Sequence, residues 1–199
     1  MDIFANRSKS WDMKSRRVQG AKRIATAIAD RIDLSREMSI ADFGAGTGLL
    51  SLFLSDRVGR ITAIDNSPSM LEVLRDKIGE FNCPIEILNM DITKSKIDDL
   101  KFDGIVSSMT LHHIDDIPNI FRLFYKMLDR DGFIAIADLD MEDGTFHSDN
   151  SGVFHFGFER DYLNRISQEV GFKVINFETV NRINKANGEF PIFLMTAFK

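Results

Sequence analysis

Residues 39–50 read Ser39-Ile40-Ala41-Asp42-Phe43-Gly44-Ala45-Gly46-Thr47-Gly48-Leu49-Leu50. Ser39 to Phe43 is short, mostly apolar and unbroken, the pattern of a strand covered on both faces of a parallel sheet. Gly44, Gly46 and Gly48 follow at every second position, where glycine permits positive φ and lets a ligand lie against the backbone. Leu49, Leu50, Phe53 and Leu54 then recur at helical spacing. A strand that enters a helix through such a turn aims backbone N–H groups at whatever occupies the turn.

The spacing decides which ligand. A dinucleotide loop is G-x-G-x-x-G, whereas this one is Asp-x-Gly-x-Gly-x-Gly with an acid at the strand end, so an NAD-dependent oxidoreductase is disfavoured. Asp42 would repel a pyrophosphate and attract a cation. S-adenosylmethionine, with its α-ammonium and sulfonium, has the matching charge. Asp42 to Gly48 resembles the first motif of class I S-adenosylmethionine-dependent methyltransferases, in which Asp42, Gly44, Ala45, Gly46 and Gly48 would border the cofactor.

Working outward, Arg60 to Asp65 reads as a second strand ending in an acid, and Asp65 lies 17 residues beyond Gly48. An acid about 20 residues past a glycine turn commonly accepts hydrogen bonds from ribose hydroxyls. Ser67 is the better N-cap for the next helix, with Pro68 at its first position, which leaves Asp65 for the ribose. The block from Asp65 through Asn66 to Leu71 is similar to the family's second-strand segment, which implies cofactor contacts for Asn66 and Met70. Pro84 to Met90 reads as a third strand. The resemblance implies that Asp91, at its end, accepts from the adenine amino group and that Ile92 flanks the ring. Phe102 to Met109 reads as a fourth strand, and the family implies that backbone around Ser107 and Ser108 faces the methionine moiety.

His112 and His113 follow. Adjacent histidines on an irregular segment do not readily turn both rings onto one ion, so they read as structural and no metal site is expected. Asp138 and Asp140, at the end of the expected fifth strand Phe133–Asp138, are thin grounds for a metal. Residues 139–158 form a long stretch without regular pattern, the kind that is usually functional or disordered. They read as a substrate-side loop. Val153 to Arg160 resembles a segment of a subgroup of these enzymes, and His155 is favoured over His147 as a base near neutral pH.

Toward the N-terminus, Arg16 to Ile32 carries Val18, Ala21, Ile24, Ile28 and Ile32 on one face, an amphipathic helix whose basic residues read as a solvated face. Phe4, Trp11 and Asp12 resemble the start of small-molecule methyltransferases related to the quinone-biosynthesis C-methyltransferases. That implies that residues 1–32 act as a lid and that Trp11 covers the cofactor. Toward the C-terminus, Phe172–Val180 and Phe190–Phe198 read as strands joined by a hairpin at Asn187-Gly188. Strands joined without a helix are antiparallel. The expected fold is therefore α/β, a three-layer α-β-α Rossmann-like methyltransferase fold. Its seven-stranded, mostly parallel sheet has the family order 3-2-1-4-5-7-6 and one antiparallel strand near the edge.

At 199 residues the chain suits a single domain spanning 1–199. Its net charge of −5 argues against a nucleic-acid footprint, and one cysteine excludes an internal disulfide. No apolar run approaches the ~20 residues of a membrane span. The N-terminus lacks the basic-then-apolar pattern of a signal peptide, so a cytoplasmic protein with no membrane partner is expected. There is no cysteine after the fourth strand for cytosine C5 chemistry, and no Asn/Asp-Pro-Pro-aromatic motif for base amino groups. The resemblance thus implies transfer of a methyl group from S-adenosylmethionine to a small-molecule acceptor by in-line displacement. The other reading is a non-catalytic protein of the same fold that binds a ligand or partner for regulation.

Overall fold

The computed structural model describes Asp2, residues 8–13 and residues 15–199. Phe4 lies outside the described residues. Seven strands form one sheet in the order β3-β2-β1-β4-β5-β7-β6. They are β1 (Ser39–Phe43), β2 (Arg60–Asp65), β3 (Ile85–Asn89), β4 (Phe102–Ser108), β5 (Leu128–Leu139), β6 (Lys173–Lys185) and β7 (Gly188–Phe198). The first five are parallel to one another. Only β7 runs against both β5 and β6, so the expected order and antiparallel strand are both present.

Among the described residues five α-helices cover the faces: α1 (Ser15–Arg31), α2 (Leu49–Leu54), α3 (Pro68–Asp76), α4 (Ile117–Met127) and α5 (Arg160–Val170). Because side chains alternate along a strand, the middle of β4 serves two cores. Ile105 packs with Phe121 and Phe124 of α4 and Ile166 of α5, and Val106 packs with Ile24 and Ile28 of α1 and Leu54 of α2. Both β4 residues are fully buried, which is why the strand reads as a continuous apolar run.

Helix starts follow local chemistry. Ser67 caps α3 by accepting from the Met70 N–H, with Pro68 next. Asp116 accepts from the Asn119 N–H ahead of Pro118. Gly171 closes α5 in the left-handed region at φ 115°. Two boundaries differ from expectation. β5 begins at Leu128, which pairs with Phe102, while Phe133 pairs with Gly104. The four residues between are accommodated by a register irregularity with Asp131 at φ 62°. The terminal hairpin is tighter than its sequence suggests, since Lys185 pairs with Gly188.

Helix α1 is tied to β6. Arg31 makes a bidentate contact with Glu178 at 2.7 and 2.8 Å, and Arg23 donates to Asn181 Oδ1 at 2.9 Å. The basic face is therefore partly an interface with the antiparallel edge rather than purely solvated. Among the described residues no helix is long and apolar enough to cross a membrane.

Candidate functional site

Parallel strands bring their carboxyl ends to one edge, and in open α/β sheets ligands lie in the crevice where strand order reverses. Here the reversal is between β1 and β4. A cleft of about 1560 Å³ opens there. That exceeds the ~300–1,000 Å³ usual for one small ligand, so it has room for two reactants.

The glycine turn forms its floor. Gly44, Gly46 and Gly48 have φ of 69, 55 and 76°. A Cβ on Gly44 would lie 2.1 Å from Thr110 Cγ2, and Thr110 Oγ1 donates to the Gly44 carbonyl at 3.2 Å. Thr110 thus locks this turn from the segment after β4, a role not readable in the sequence. Asp42 is buried, and its Oδ2 accepts from Ser51 Oγ at 2.6 Å. Burial pushes its carboxyl up to about 7 against the opposing effect of the Ser51 hydrogen bonds. Asp65 accepts from Gly46 N and Ser67 N, both at 2.8 Å. Burial also raises this carboxyl, opposed by those backbone donors.

Of the expected cofactor residues, Asp42, Gly44, Ala45, Gly46, Asp65 and Asn66 line the cleft. So do Met70, Asp91, Ile92 and Trp11. Asp91 is turned to its own loop: its Oδ1 accepts from Thr93 N and Oγ1, and Lys94 Nζ pairs with Oδ2 at 2.8 Å. Partial burial works upward on this carboxyl, but those hydrogen bonds outweigh it and hold it below the usual range. Two expected residues do not line the cleft. Gly48 sits behind the turn as the left-handed N-cap of α2, where a Cβ would meet Leu74 Cδ1 at 2.3 Å. Ser107 faces into the sheet, donating to the Phe43 carbonyl at 2.8 Å. Its neighbour Ser108 lines the cleft instead, because successive strand residues point to opposite sides.

The N-terminal segment is fastened to this edge. Thr47 Oγ1 donates to Asp12 Oδ1 at 2.6 Å, Asp12 also pairs with Lys77, and Asp2 accepts from Ser67 Oγ and Ser69 N. The Arg17 guanidinium lies 3.5 Å from the centre of the Trp11 ring.

At the other end of the cleft the histidines depart from expectation. His155 does not line it. Its ring packs on Phe158 at 5.1 Å, and its Nε2 faces the Asp115 carbonyl at 3.3 Å. The structure instead brings His112, His113 and His147 together, with one ring nitrogen of each within 4.8 Å of the others. His112 Nδ1 faces buried Asp138 Oδ1 at 2.6 Å, His113 Nδ1 faces the Gly152 carbonyl at 2.6 Å, and His147 Nε2 is 3.2 Å from His112 Nε2. Burial and the His112 ring lower His113, and burial with His112, His113 and Lys185 brings His147 to about 4. At about 4, His147 is a neutral imidazole at pH 7. The two adjacent histidines, expected to be structural with no further ligand nearby, here have a third ring beside them. The loop supplies the third ring, and His112 and His113 adopt a 3-10 turn (Leu111–His113) with centroids 4.2 Å apart. Asp138 and Asp140 do not act as a carboxylate pair either, since Asp140 is bound by Arg160 at 2.7 Å. The loop bearing His147 was marked by its length, but only the fold selects His147 from it.

Residues 40–132 match a family model described as a methyltransferase domain. That segment, just under half of the chain, is similar to methyltransferase domains. Malonyl-[acyl-carrier protein] O-methyltransferase of Acetivibrio thermocellus is 31% identical over 160 residues, 78% of this chain and 52% of that protein. The chain spans about half the length of the curated relatives it matches first. Among solved structures, a chain from a complex of the Haloferax volcanii Trm112 methyltransferase activator aligns with a TM-score of 0.76 at 16% identity, covering 99% of this chain and 96% of that one. Haemonchus contortus phosphoethanolamine N-methyltransferase 2, solved with phosphomonomethylethanolamine and S-adenosylhomocysteine, aligns with a TM-score of 0.69 at 16% identity, over 88% of this chain and 52% of that one. These likenesses show that the chain shares its seven-stranded Rossmann-like fold with those proteins.

Proposed function

We propose that this chain transfers a methyl group from S-adenosylmethionine to a small-molecule acceptor and releases S-adenosylhomocysteine. The observation that carries the reading is the pair of acids, buried Asp42 and half-buried Asp65, at the ends of adjacent strands on either side of the glycine turn. The residues suit the cofactor. Asp42, raised to about 7 by burial, would gain its charge beside a cation. Asp65 has one backbone donor on each oxygen, and a carboxylate oxygen can accept more than one hydrogen bond, so a ribose diol could share it. Met70 lies beneath Gly46, with Cε 3.6 Å from where a Cβ would stand, and with Ile92 would border the adenine.

The bound cofactor supplies a methyl group already activated by positive charge on sulfur. What remains for the chain is alignment and exclusion of water. The N-terminal residues up to 32 would serve as the lid, a role supported by the Asp12–Thr47 and Asp2–Ser67 bonds. Residues 139–158 would form the acceptor wall, supported by the Phe154 N–H bond to the His112 carbonyl at 3.0 Å. Relatives named for O- and N-methylation support a small-molecule acceptor without choosing its atom.

Calorimetric titration with S-adenosylhomocysteine, with NAD as the control, tests the reading. Stoichiometric binding of the first and none of the second is expected. Binding of NAD alone would overturn it.

A further inference from the structure

We propose that His112, His113 and His147 form a binding site for a divalent transition-metal ion of the zinc type, opening onto the acceptor end of the cleft. The three ring nitrogens lie within 4.8 Å of one another, and all three residues line the cleft. The Nε2 atoms of His112 and His147 are 3.2 Å apart. Two imidazoles bound at ~2.0–2.1 Å to a tetrahedral ion hold their nitrogens roughly 3.3 Å apart, so this pair already spans one edge of such a site. The third nitrogen has at most about 1.5 Å to close from its 4.8 Å limit. His113 and His147 are only partly buried, so their rings are less confined than that of His112.

The surroundings favour ligation over a chain of imidazole hydrogen bonds. His112 Nδ1 donates to Asp138 Oδ1 and His113 Nδ1 donates to the Gly152 carbonyl, each at 2.6 Å. Both bonds fix the proton on Nδ1 and make Nε2 the lone-pair nitrogen. A carboxylate or carbonyl behind the ring is how metal-bound histidines are oriented. A single N–H···N bond between His112 and His147 would need only one ring fixed in this way, whereas two are. An all-imidazole set suits zinc, copper, iron or nickel rather than magnesium or calcium, and three protein ligands leave a fourth position open. That position would take an oxygen or sulfur atom of an acceptor. This use rests on the methyl-transfer reading; binding of the ion does not.

The test is titration of the metal-stripped full chain with Co²⁺, read by visible absorption, followed by competition with Zn²⁺. One ion per chain with the intense bands of a four-coordinate site is expected. His113→Ala and His147→Ala, both outside the hydrophobic core, should each weaken binding at least tenfold while far-ultraviolet circular dichroism stays unchanged. Asp138→Asn should weaken it by about 10- to 100-fold. No uptake of Co²⁺ by the unaltered chain, or uptake that neither His113→Ala nor His147→Ala reduces, would overturn the proposal. The titration uses no nucleoside ligand, so its failure leaves the S-adenosylhomocysteine result standing, and the converse holds.

Discussion

Asp138, near the end of β5, accepts from His112 Nδ1 at 2.6 Å, and both side chains are buried. The same carboxylate takes the backbone N–H groups of His112 at 3.3 Å and Leu139 at 2.7 Å. One acid thereby fixes the turn after β4 against β5 and sets the ring that faces the cleft. Asp138→Ala would strand these donors in the interior. A loss of about 3 kcal/mol is expected, measured by urea unfolding. Loss below about 0.5 kcal/mol would mean that the donors find water or other acceptors.

Asp65 is expected to be the residue on which nucleoside binding most depends. Asp65→Ala removes acceptors for Gly46 N and Ser67 N as well as for a ribose. Affinity for S-adenosylhomocysteine should fall by about 10- to 100-fold, the equivalent of one or two charge-assisted hydrogen bonds. Calorimetry at matched folded fraction checks this, and unchanged affinity would remove Asp65 from the site.

The pH dependence of stability should carry the mark of Asp42. Its carboxyl sits at about 7 in the folded chain and near ~3.9 when unfolded. The folded state holds this proton more tightly, so the stabilisation is full below about pH 4 and is lost as pH rises through 7, on the order of 4 kcal/mol in all. Asp42→Asn cannot ionise and should flatten the decline between about pH 4 and pH 7. A ligand cation beside Asp42 should flatten it too. An unaltered decline in the Asn variant would show that the group keeps its charge on folding.

Gly44 cannot carry a side chain in this turn. Its φ is 69°, and Thr110 Cγ2 lies 2.1 Å from where a methyl group would stand. Gly44→Ala therefore combines a left-handed strain of roughly 1–2 kcal/mol with a clash. Ligand binding should fall sharply. Adding Thr110→Gly should recover part of it by removing Cγ2, Oγ1 and Cβ, which lie 2.1, 2.3 and 2.6 Å from that point, and the strain should remain. Full tolerance of Gly44→Ala would show that the turn can rearrange.

His155 and His147 should separate in function. Once an acceptor is known, His155→Ala should keep kcat/KM within about twofold, since the ring packs off the cleft on Phe158. His147→Ala should lower it by about tenfold or more, in the range of general acid–base or electrostatic losses. The reverse order would relocate the acceptor to the far side of the loop.

Between residues 40 and 115 the frame of the candidate site was largely legible because its signals are local. A glycine turn between an apolar strand and a helix, and acids closing β1 and β2, are fixed by neighbours in the chain, and parallel pairing then carries them to one edge. The antiparallel end was legible for the same reason, since Asn187-Gly188 joins two strand patterns with no helix between. Side-chain direction at a strand end was not: Ser107 and Ser108 differ by one residue and face opposite ways. Nor was the histidine group. Sequence alone determined the strand–turn–helix frame and the acids it would present. Only the tertiary structure decided that His147 rather than His155 meets His112, because that contact spans 35 positions and depends on how residues 139–158 fold back over β4 and β5, a long-range packing outcome without a periodic pattern to announce it.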